Sequence, residues 1–154
     1  ADSVGIFYLG MLDVINEIVE VARPLRQDAE LETLKTSPIY DLIVFMRSEM
    51  TASENLIIAL YRYNEGDLSK DEISSLYDSY LKLISANKNK SANLKVPDTK
   101  KSAFQNFMNS SDKIATEFIK ANRSVVSGEK VEAQVLSIAQ IYYEALIKEY
   151  NFIV

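Results

Sequence analysis

Five polar residues stand where helical periodicity asks for apolar ones, and they are the positions at which this chain could do chemistry. Glu49 and Ser53 fall within the arc of Leu42, Met46, Leu56 and Leu60. Ser111 and Asn122 fall within the arc of Phe107, Ala115 and Phe118, and Glu149 stands beside Tyr142 and Leu146. A polar group on an inward face costs a few kcal/mol unless it is paired, so each such position needs a structural or a functional account. A carboxyl held there would be desolvated and its pKa raised, unless a cation or several donors compensated. Two carboxylates sharing a pocket could divide acid and base roles, but no spacing couples Glu49 to Glu149, which belong to different segments.

The structural account has Ser53 and Ser111 bonding back to a carbonyl one turn earlier, Asn122 bridging two helices, and Glu49 and Glu149 reaching bases at the rim. The functional account is a polar pocket inside a bundle, where helical proteins commonly build ligand sites. The nine tyrosines would suit such a pocket, since each joins an apolar ring to a hydroxyl.

The inventory narrows the chemistry further. There is no histidine and no cysteine. Thiol nucleophiles, disulfides, His-based triads and shuttles, and His/Cys zinc sites are therefore excluded. No spaced D-x-D-x-D-G loop offers calcium ligands. The expectation is a non-enzymatic protein with no metal and no cofactor.

The formal net charge is −5. An acidic surface repels nucleic acid and anionic lipid, which are bound first through phosphate neutralisation, so neither is an expected partner. No apolar run approaches the roughly 18 residues of a membrane span. One stretch reverses the sign: SANKNKSANLKVPDTKKS, residues 85–102, holds Lys88, Lys90, Lys95, Lys100 and Lys101 against the single acid Asp98. Its polar composition and Pro97 suit a solvated connector, and a binding loop is the alternative.

The elements that would position these residues are helices almost throughout. Apolar residues recur at helical spacing and no stretch alternates for long with period two, so the fold expected is an all-α, single-domain bundle of about five mostly antiparallel helices over 1–154. The first helix carries Val4, Phe7, Tyr8, Met11, Ile15, Ile18, Val19 and Ala22 on one stripe, and breaks or kinks near Pro24. Thr36-Ser37-Pro38 opens a second helix running to about Asn64, closed by Gly66. Ser69 and Glu72 form a capping box for the third. A long polar crossover at about 86–98 leads to a fourth helix from about Thr99 to Gly128, and Val131–Phe152 forms the last. The apolar arc of that last helix covers half its circumference, which places it between two neighbours.

Two surfaces could meet a partner. Asp13, Glu17 and Glu20 form an acidic ridge on the first helix, either a solvated face or a docking surface for a basic partner. Ile6, Leu9, Leu25, Leu31, Leu34 and the terminal Phe152-Ile153-Val154 are apolar positions that a small bundle need not bury. The function expected is binding to another protein, as an exported (periplasmic or secreted) inhibitor, immunity or accessory protein. A small-ligand-binding or sensory bundle with an internal polar pocket is the alternative. Export is expected from the Ala1-Asp2-Ser3 start, which suits the product of signal-peptide cleavage, with a cytoplasmic location as the alternative.

Overall fold

The computed structural model describes residues 31–154. The break near Pro24, the apolar Ile6, Leu9 and Leu25, and the acidic ridge of Asp13, Glu17 and Glu20 lie outside the described residues. The chain divides into two compact units, Ala1–Tyr40 and Asp41–Val154. The described part of the first is the single turn α1 (Leu31–Leu34) and the turn after it, where Lys35 and Glu32 form an exposed ion pair of 2.8 Å.

The fold is all-α and bundle-like, with no strand among the described residues. Four long helices follow α1: α2 (Tyr40–Asn64), α3 (Lys70–Ser91), α4 (Lys101–Val126) and α5 (Ala133–Ile153). Local chemistry fixes their ends. The Ser37 hydroxyl accepts the Ile39 N–H just before α2 begins. Past the end of α2, Gly66 takes φ +84, and the Asp67 N–H reaches back to the Arg62 carbonyl. A β-carbon would strain that left-handed turn, which is why the helix stops at a glycine. Ser69 caps α3 as a full capping box: its hydroxyl accepts the Glu72 N–H, and the Glu72 carboxylate accepts the Ser69 N–H.

Side-chain pairings give the directions. Arg47, Glu54 and Tyr61 of α2 meet Tyr150, Tyr143 and Gln140 of α5, so the two run antiparallel. Phe45 and Glu49 of α2 meet Phe104 and Ser111 of α4, which therefore runs parallel to α2. Lys70 at the start of α3 bonds the Val126 carbonyl at the end of α4, and Tyr80 packs edge-on against Phe118 at 4.9 Å. The unit Asp41–Val154 is thus an up-down-up-down arrangement, as short connections impose.

The structure differs from the sequence reading at the end of α3. The expected crossover at about 86–98 is shorter, because α3 continues to Ser91; what remains is Ala92–Pro97, followed by a 3-10 turn at Asp98–Lys100. Asn87 holds those last turns in place, buried with its amide on the Ser48 hydroxyl at 2.9 Å, while Lys88 and Lys90 suit the negative end of the helix. The last helix, α5, has two neighbours, α2 and α4, and the widest buried arc belongs to α2. On α2 only a stripe through Val44, Thr51, Asn55 and Arg62 is exposed, because this helix has neighbours on three sides.

Candidate functional site

Helix α2 turns three buried polar residues inward, Glu49, Ser53 and Glu54, among Met46, Met50, Leu56 and Ile57. They are tolerated because α3, α4 and α5 each supply polar groups at the same levels. Glu49 is 2% exposed, and one oxygen accepts a long hydrogen bond from the Ser111 hydroxyl of α4 at 3.4 Å. The Asn87 amide of α3 faces the same carboxyl while also bonding Ser48, whose own hydroxyl donates to the Phe45 carbonyl. Tyr80 of α3 closes the seam beside Ser53. On the other flank Tyr143 of α5 donates a short hydrogen bond to Glu54, and Tyr61 reaches Gln140 at 3.5 Å.

The electrostatics follow from burial. Desolvation raises the Glu49 pKa to about 7, opposed only in part by the Asn87 and Ser111 donors and reinforced by the charge of Asp112. Burial likewise pushes the Tyr80 phenol up, with Glu49, Tyr77 and Asp112 adding to it and the Ser53 hydroxyl opposing. Ser53 Oγ and Tyr80 Oη make no hydrogen bond. The cluster can hold or release a proton near neutral pH, but within a closed seam. Among the described residues no group of three carboxylates is placed to hold a metal ion.

Of the five residues singled out from sequence, the structure brings Glu49, Ser53 and Ser111 into one buried cluster. Ser111 bonds across to α2 and not back along its own helix, and Glu49 does not reach the rim. Asn122 is half-buried at a crevice with Leu56, Leu60, Ile73, Tyr77 and Phe118, too tight to admit water. Glu149 is half-buried on α5, with no hydrogen bond or ion pair to another described residue. Asn87 and Tyr80 completed the site without having been singled out. Their signal is the heptad spacing Ile73–Tyr80–Asn87, which puts an asparagine on the stripe that faces α2.

The outer surface carries a second feature. The buried residues of α5 are Leu136, Ala139, Gln140, Tyr143, Leu146, Tyr150 and Ile153. Ile141 and Phe152, spaced eleven residues or three turns, lie on the opposite side and are 61% and 60% exposed. Lys100 stands over the Phe152 ring at 4.3 Å and donates to its carbonyl. Val126 of α4 is 56% exposed, and Ile119 one heptad earlier is exposed on the same face.

The class these features define is an all-α bundle with a buried polar seam and apolar side chains on its outer faces. Comparison with protein families, curated proteins and solved structures gives no match to the chain.

Proposed function

We propose that this chain is a non-enzymatic helical bundle that acts by binding another protein. The observation that carries the reading is the pair Ile141 and Phe152, which stand on the side of α5 opposite its buried arc and so contribute nothing to the bundle core. Exposed apolar groups at helical spacing suit the face of a partner helix or an apolar patch. Of the polar candidates, Glu49 and Ser111 support the same reading, because they join α2 to α4 and do not line an accessible pocket. An exported inhibitor, immunity or accessory protein is the kind of binding protein proposed.

Cross-linking and affinity capture from the native extract test this with three chains: the parent, Ile141→Asp/Phe152→Asp, and Glu49→Gln. The reading expects one partner, captured by the parent and Glu49→Gln and lost with the double variant. Equal capture by all three counts against it. The unbonded hydroxyls of Ser53 and Tyr80 beside Glu49 favour a second reading, in which the seam takes a small polar ligand. Native mass spectrometry of the parent protein distinguishes the two, since a retained small molecule would be lost on Glu49→Gln.

A further inference from the structure

At Glu49 three helices meet around a carboxyl that has no cation. From α3 it is faced by Asn87 and Tyr80, and from α4 by Ser111 and Asp112. No Lys or Arg among the described residues pairs with it. A charge here would be met by one long hydrogen bond and by an amide shared with Ser48. That is far less than the water it gives up, because a buried charge needs both a partner and hydrogen bonds. Two further hydroxyls of the cluster, on Ser53 and Tyr80, are unbonded and could turn to meet a group that moved.

The wall most easily displaced is α3. Of its 22 residues only Ile73, Tyr80 and Asn87 are buried, and Leu76 and Leu81 are exposed. Its first turn is secured by the capping box and by Lys70 on the Val126 carbonyl. Beyond Tyr80 the one buried anchor is Asn87, the residue that touches the Glu49 carboxyl.

We propose that Glu49 is a proton-operated latch: protonated, it holds the C-terminal half of α3 against α2 and α4, and loss of the proton releases that half so that water reaches the carboxylate. The chain has no histidine, so a change of charge near neutrality falls to a perturbed group. Desolvation places Glu49 at about 7, and the neighbouring Asp112 carboxylate acts in the same direction. With the closed form titrating near 7 and the hydrated form near the ordinary 4.5, closure is fully favoured below pH 4.5 and lost as the pH rises through 7. The released half carries Lys88 and Lys90, so the latch also governs how the basic end of α3 is presented.

Native-state hydrogen exchange of the full chain, resolved along α3 between pH 5 and 8 and corrected for intrinsic rates, tests the latch. The parent should open its Tyr80–Ser91 amides roughly 70-fold more at pH 8 than at pH 5, as the two titration points require. Glu49→Gln should change by less than about threefold over the same range, since it has no proton to lose. The proposal is overturned if both proteins share the pH dependence, if the parent has none, or if the increase is equal along all four long helices. Direct titration of the Glu49 side-chain carbon by NMR in the parent protein needs no variant. A midpoint near 7 supports the latch and a midpoint near 4.5 overturns it.

Discussion

Replacing Glu49 by glutamine should make the protein more stable at pH 8 and leave it nearly unchanged at pH 4.5. Glutamine keeps the shape of the protonated acid, together with one acceptor and a donor for the Ser111 and Asn87 groups, and it never ionises. The magnitude follows from the shift, from an ordinary 4.5 to about 7. At roughly 1.4 kcal/mol for each pH unit, a fully ionised Glu49 destabilises the closed bundle by about 3–4 kcal/mol. The sign follows from proton binding: the native state holds this proton more tightly than the unfolded chain. Its contribution to stability is therefore complete below pH 4.5 and lost as the pH rises through 7. Allowing about 1 kcal/mol for imperfect hydrogen bonds to the amide, the variant should lead by about 2 kcal/mol at pH 8 and trail slightly at pH 4.5. Urea denaturation of both proteins at pH 4.5, 6 and 8 measures this, and the difference between them removes the contribution of every other titrating group. A stability difference that does not change with pH, or a variant weaker than the parent at pH 8, would refute the reasoning.

Other consequences are local. Asn64 clips the end of α2 to the turn before α5, donating to the Val131 carbonyl at 2.9 Å and accepting the Val131 N–H at 2.8 Å. Because Val131 is buried, Asn64→Ala should cost about 2–3 kcal/mol in chemical denaturation and speed exchange of the Val131 amide. Ser69→Ala removes one half of the capping box and should lower stability by about 1 kcal/mol, with the loss in exchange protection greatest in the first turn of α3. Lys88→Gln with Lys90→Gln weakens the charge complement at the end of α3, at about 0.5 kcal/mol in low salt; the effect should vanish in thermal melts at 1 M salt.

What the sequence made legible was the chemistry that acts within a few residues. The end of α2 and the start of α3 were readable because Gly66, Ser69 and Glu72 act on their own backbone neighbours. The inward positions of Glu49, Ser53 and Ser111 were readable because helical periodicity alone places them. Their partners were not, since pairing Glu49 with Ser111 or Glu54 with Tyr143 depends on which helix lies beside which, and at what level. Periodicity also overstated the buried face of α3, where Leu76 and Leu81 belong to the apolar pattern yet stand in solvent. The residues from Ala86 to Ser91 read as a connector because Ser, Asn and Lys are weakly patterned, and the bond from Asn87 to Ser48 that keeps them helical crosses 39 residues of chain. The exposure of Ile141 had no local signal either, for an apolar residue reads the same whether it faces a core or a partner; of the terminal apolar residues, Phe152 and Val154 are exposed whereas Ile153 is buried in the core.

The buried polar groups also explain how so regular an arrangement holds one register. An apolar seam alone is permissive, since leucine, isoleucine and methionine can exchange neighbours at modest cost when helices slide by a turn of about 5.4 Å. The polar pairs of α2 do not permit that. Arg47 with Tyr150 and Glu54 with Tyr143 fix its level against α5, Glu49 with Ser111 fixes it against α4, and Ser48 with Asn87 fixes it against α3. A one-turn slip along any of these contacts strands a buried donor or acceptor at about 1–3 kcal/mol each, a large fraction of what holds a domain of this size together. Three of these contacts do not involve Glu49. The fourth rests on a carboxyl with no cation, and the helix it meets through Asn87 is the one with the fewest buried side chains. Register and proton sensitivity therefore come from the same residue: Glu49 specifies how α2, α3 and α4 align while it is neutral, and it opposes that alignment once it is charged.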